Sequence, residues 1–129
     1  MTPKTYFSIF GVLSGLFGIG FVLAPAQVLM IYGIESTPAV GLASRLFGGT
    51  LLAVAIILWS ARDFRDPAAV RAVLMASVTS DAVNFVVVLL AVISGTANAF
   101  GWSMVLIFLC GTLGAGYLLA ASKAQQQVA

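Results

Sequence analysis

Apolar residues run almost without interruption through four stretches, Tyr6 to Leu23, Gly41 to Ala61, Ala68 to Ile93 and Trp102 to Ala121, and polar residues gather in the short intervals between them. Each stretch is near the roughly 20 residues a helix needs to cross a bilayer. Three of the four open with a capping residue followed by proline: Thr2-Pro3, Thr37-Pro38 and Asp66-Pro67. Proline at the first helical position gives up no useful hydrogen bond, and the Thr or Asp before it accepts from an exposed amide, so each pair predicts a helix start. Ser94-Gly95 ends the third stretch, and Thr96 or Asn98 is placed to cap the fourth. The pattern predicts an all-α polytopic membrane protein, one domain over residues 1–129, with four transmembrane helices at about 3–24, 38–61, 67–94 and 99–122 forming a bundle.

Ala24-Pro25 closes the first stretch, and "PAQVLMIYG" then reads as a short amphipathic helix lying at the membrane surface and ended by Gly33. The preceding "LAPA" has the small residues of a cleavable leader's end, but the apolar run exceeds the usual leader length of roughly 7 to 15 residues. It is read as a retained span.

Composition agrees with the pattern. Of 129 residues 61% are hydrophobic and 8% charged, against about a quarter charged in a soluble domain. Six basic and four acidic residues give a net charge of +2, too scattered for a nucleic-acid footprint. There is no histidine and one cysteine, Cys110, which argues against a protein-ligated transition metal, a bound cofactor and triad hydrolysis. Cys110 itself reads as a packing residue, and Tyr117 as a core or interface ring. Lys4, Arg62, Arg65, Arg71 and Lys123 fall on one side of a four-helix threading and only Arg45 falls toward the other. That bias predicts that both termini and the 62–67 loop are cytoplasmic. Trp59 and Trp102 sit where interfacial aromatics belong.

Glycines at 11, 15, 18 and 20 in the first stretch and at 111, 114 and 116 in the fourth predict close helix seams, as does the four-residue repeat Ala72, Ala76, Ser80, Asn84 in the third. In lipid, packing drives helices together, and small residues let backbones approach. Such faces also suit a membrane-protein partner or a second copy of the chain.

The third stretch carries an anomaly, "SVTSDAVNF". An aspartate at the centre of a spanning helix costs about 2.5 to 3.5 kcal/mol on the insertion scale, while each neighbouring Val, Leu or Ile returns about 0.3 to 0.6. At 1.5 Å per residue Asp81 lies roughly 21 Å from the start of its helix, Asn84 roughly 25 Å, and Arg45 roughly 24 Å from the same side on the second stretch. The shared depth predicts that Arg45 pairs with Asp81 and Asn84, with hydroxyls of Ser77, Thr79 and Ser80 nearby. Such a cluster serves either as a clamp that fixes helix register or as the wall of a small cavity for a lipid, quinone or proton. Arg45, Asp81, Asn84, Ser77 and Ser80 are therefore the candidate ligand-binding residues. Glu35 lies in the opposite loop, solvated or within reach of Arg45.

The motifs "RLFGG" (Arg45 to Gly49), "APAQVLMIYGI" and "NAFGW" (Asn98 to Trp102) resemble those of small bacterial four-helix membrane proteins of the DoxX-like group. The resemblance spans most of the chain and implies a four-helix integral membrane fold in a bacterial inner membrane, with no catalytic residue to carry over. No second catalytic group converges on Asp81, so an enzyme is not expected. The sequence favours an accessory or scaffold protein in the bilayer held by its small-residue seams and the Arg45/Asp81/Asn84 cluster. The alternative is a carrier or binding protein for a lipid, quinone or other small apolar ligand at that cluster.

Overall fold

The computed structural model describes residues 1–128, with side-chain surroundings through Ser122. It consists of five helices: α1 (Pro3–Leu23), α2 (Pro25–Ile31), α3 (Pro38–Ala61), α4 (Pro67–Ile93) and α5 (Gly101–Val128). Four of them, α1, α3, α4 and the Gly101–Ser122 part of α5, are long and apolar enough to cross a membrane. The chain is an all-α multi-pass membrane protein. Thr2 and Thr37 each accept from an amide three residues on, and Asp66 accepts from Ala68 N–H, so the three helix starts with proline are capped by side chains. The last helix runs past the expected residue 122, because nothing in "KAQQQV" breaks a helix. Lys123, counted with the basic side, lies outside the residues whose side chains are described.

The helices pack as two antiparallel pairs, α1 along α3 and α4 along α5. Gly18 and Gly48 make the first pair possible. A Cβ on Gly48 would sit 2.9 Å from the Gly18 carbonyl oxygen and from Val22 N, and a Cβ on Gly18 would sit 2.9 Å from Leu52. Either methyl group would push the helices apart and lose dispersion contacts. By contrast α3 and α4, joined by a short loop, barely touch, and of the 27 residues of α4 only Leu74 is buried.

The two pairs are joined at one end, here called the basic end, through a core of Tyr6 and Phe7 from α1, Leu58 and Ala61 from α3, Leu74 from α4, and Ala115 and Leu118 from α5. At its rim Lys4 and Arg62 both bond Asp63, at 3.4 and 3.2 Å, and the Arg62 guanidinium stacks 3.7 Å over the Trp59 ring. Arg62 and Lys4 together hold the exposed Asp63 carboxyl below its ordinary range. At the opposite end a second tie closes the structure. Asn98 donates its backbone N–H to the Tyr32 carbonyl (2.9 Å) and its side-chain amide to the Ile31 carbonyl (3.0 Å), and accepts from Phe100 N–H. Gly33 turns there with φ +72°, and a Cβ on it would press 3.1 Å from Asn98. Burial pushes the Tyr32 phenol upward. Asn98 thus binds the end of α2, beyond capping the chain before α5.

Candidate functional site

Where α1 and α3 part from α4 and α5, a cleft opens in the body of the bundle, with two lobes of about 300 and 380 Å³. The lobes adjoin, since Phe10, Ser14, Val54, Ser80 and Asp81 line both. The lobe nearer the basic end adds Tyr6, Ser77, Ala72 and Ala76, and the other adds Asn84 and the rings of Phe17, Phe21, Phe47 and Phe108. All four spanning helices contribute to the second lobe. Its wall is overwhelmingly hydrocarbon with a small polar group at the junction, the composition of sites that hold small molecules.

Asp81 anchors that junction. The Tyr6 hydroxyl donates to Asp81 Oδ2 at 3.2 Å and shares its proton with the Gly111 carbonyl oxygen at 3.3 Å. Gly111 is what admits the carboxylate, because a Cβ at that position would collide with Asp81 and would come within 3.0 Å of Phe10. The glycine run of α5 therefore serves a polar group as well as a seam: Gly111 houses Asp81 and Gly114 faces the Tyr6 ring, while Gly116 meets Val78 of α4. Tyr6 is fully buried and stacked on Phe10 at 4.6 Å between centroids.

The expected pairing of Arg45 with Asp81 and Asn84 is not what the chain forms. Among the described residues the ion pairs are Lys4–Asp63 and Arg62–Asp63, and Arg45 is exposed. Its depth matches that of Asp81, but its direction does not. On α3 the cleft is lined by Phe47, Leu51 and Val54, and at about 100° per residue Arg45 lies roughly 160° around the helix from Phe47. Arg45 instead shares the outer face with the exposed Leu42, Leu46 and Ile56. Asn84, in place of a bond to Arg45, donates to Ser80 Oγ at 3.4 Å.

Ser77, Ser80, Asp81 and Asn84 all line the cleft. The Ala72, Ala76, Ser80, Asn84 repeat is a second correction: it faces the cleft and does not form a close seam with another helix. Cys110, read as a packing residue, is exposed, as is Tyr117. Tyr6 was the residue that sequence reasoning missed. A tyrosine in the first turn of a spanning helix reads as an interfacial anchor, and only the glycine opposite it on α5 betrays a buried role.

Searches against family models, curated proteins and solved structures find no match to this chain.

Proposed function

We propose that this protein binds a small, mostly apolar molecule inside the bilayer, in the cleft between its helix pairs, with the polar end of that molecule at Asp81. The observation that carries the reading is a cavity of about 300 Å³ walled by hydrocarbon from four helices, in which Asp81, Ser80, Asn84 and Ser14 supply the polar contacts. A carboxylate costs too much in lipid to be retained idly, and here it faces space as well as Tyr6. The site gives the molecule orientation through hydrogen bonds and affinity through apolar contact. Among the described residues the titratable group that converges on Asp81 is Tyr6, and its hydroxyl is already taken up by Asp81 and the Gly111 carbonyl, which favours binding or carriage without chemistry. The charge bias of Lys4, Arg62, Arg65 and Arg71 favours a cytoplasmic basic end, and the DoxX-like resemblance favours a bacterial inner membrane.

Native mass spectrometry of the protein extracted in maltoside detergent tests the reading. Wild type should carry a small-molecule adduct, and Ser80→Phe, which fills the junction of the lobes, should lose it while keeping its helical content. A bare wild-type protein, or an adduct indifferent to Ser80→Phe, argues against the cleft.

A second reading, an accessory subunit that assembles with another membrane protein, rests on a different observation. Helix α4 presents Met75, Val83, Val86 and Leu90 outward and buries only Leu74, which leaves it free to pack on a partner helix. A partner that stays bound through detergent extraction and is released by bulky substitutions at Val83 and Val86 supports that role.

A further inference from the structure

Resting on the cleft reading, we infer that the ligand is a lipophilic cation: an organic ammonium or onium whose charge sits at Asp81 and whose apolar body lies among the phenylalanines. The argument is one of charge. Among the described residues Asp81 is the only acidic side chain lining either lobe, and no Lys or Arg lines them. Among the described residues every Lys and Arg side chain stays out of the lining of the lobes, and three of them are visibly held or turned away. Lys4 and Arg62 are held by Asp63, Arg62 also lies on Trp59, and Arg45 is on the opposite face of α3.

What surrounds the carboxylate is suited to positive charge in a second way. Phe10, Phe17, Phe21, Phe47 and Phe108 come from three helices to wall the same space, with Phe21 and Phe47 edge to face at 5.4 Å. Aromatic faces carry negative potential and attract cations most strongly where water is excluded. An anionic ligand meets repulsion from Asp81 and from those faces together. A divalent metal ion would keep a second positive charge uncompensated, since beside the one carboxylate the lobes offer only neutral groups, Ser14, Ser77, Ser80, Asn84 and Tyr6. A bulky organic cation needs few direct ligands, only a counter-charge and a polarisable wall.

The test uses two probes of the same shape, tetraphenylphosphonium and uncharged tetraphenylsilane, measured by equilibrium dialysis against wild-type protein in uncharged maltoside micelles. The phosphonium should bind about tenfold or more tightly than the silane, and Asp81→Asn should remove the difference while leaving silane binding as it was. Phe47→Leu should weaken the phosphonium more than the silane, a readout independent of whether the Asp81 variant folds. Displacement of the phosphonium by decylamine alone assigns the site to free amines, and displacement by short-chain phosphatidylethanolamine assigns it to ammonium headgroups. Equal binding of the two probes to wild type overturns the inference and leaves the cleft reading standing. Binding of neither probe overturns both.

Discussion

Tyr6 and Asp81, 75 residues apart in sequence, meet through a 3.2 Å hydrogen bond at the centre of the bundle. Among the described residues it is the one hydrogen bond that joins two side chains across the helix pairs; the same hydroxyl also reaches the Gly111 carbonyl of α5, and the tie at Asn98 runs from a side chain to backbone. The Tyr6–Asp81 bond couples the core at the basic end to the polar junction of the cleft.

Its contribution is measurable by a double-mutant cycle. Interhelical bonds in membrane bundles couple by about 0.6 kcal/mol on average and up to about 1.7. Tyr6→Phe and Asp81→Asn should therefore show a coupling in that range when unfolding is followed in mixed micelles. The matching cycle of Arg45→Gln with Asp81→Asn should give coupling within about 0.5 kcal/mol of zero, as for residues that do not touch. A large Arg45–Asp81 coupling would restore the pairing suggested by their equal depth.

Glycine substitutions divide by what their methyl group meets. Gly111→Ala drives a Cβ into the Asp81 carboxylate and should destabilise by about 1 to 3 kcal/mol, the usual range for overpacking. Gly49→Ala meets nothing within 4 Å and should stay within about 0.5 kcal/mol of wild type. Thermal unfolding of the two variants side by side checks both, and equal losses would show that helix flexibility, not space, is what the glycines provide.

The tie at the far end should be brittle. Asn98→Ala deletes the side-chain bonds to the Ile31 carbonyl and to Phe100 N–H, at roughly 1 kcal/mol each. Hydrogen exchange at the amides of residues 31 to 34 should rise in this variant while exchange in α1 and α3 stays unchanged. Unchanged protection at 31–34 would contradict the tie.

Acid should loosen the basic end. The Asp63 carboxyl is held below its ordinary value of 3.8 by Arg62 and Lys4, so the folded state binds a proton there less readily than the unfolded one. The associated stability is present above that value and is lost as pH falls through the lowered folded value. Wild type should therefore lose more stability than Asp63→Asn when thermal unfolding is repeated at pH below 3.8. Identical acid sensitivity would show that the Lys4–Asp63–Arg62 contact contributes nothing.

The fold was legible because its determinants are local: four apolar runs of spanning length, and caps written as Thr-Pro or Asp-Pro immediately before three of them. The polar residues Ser77, Ser80, Asp81 and Asn84 were also visible, as interruptions of an apolar helix. Their partner was not. Rise per residue fixes depth, but which way a side chain points depends on which helices pack together, and that is decided at Gly18 and Gly48, where α3 closes on α1 and leaves α4. Once α3 turns its Phe47, Leu51 and Val54 row to the cleft, Arg45 must face outward. Tyr6 escaped notice for a related reason, since its burial comes from Gly111 and Gly114 more than 100 residues away.

The most direct test of the ligand cleft is a side-chain-resolution cryo-electron microscopy map of the protein extracted from its own membrane and held by a rigid fiducial. The expected result is elongated non-protein density between α1, α3 and α4, ending within hydrogen-bond distance of Asp81, with Tyr6 on its other side. Helix pairs closed upon each other, with Phe47 packed against Val87 and no space beside Asp81, would contradict it.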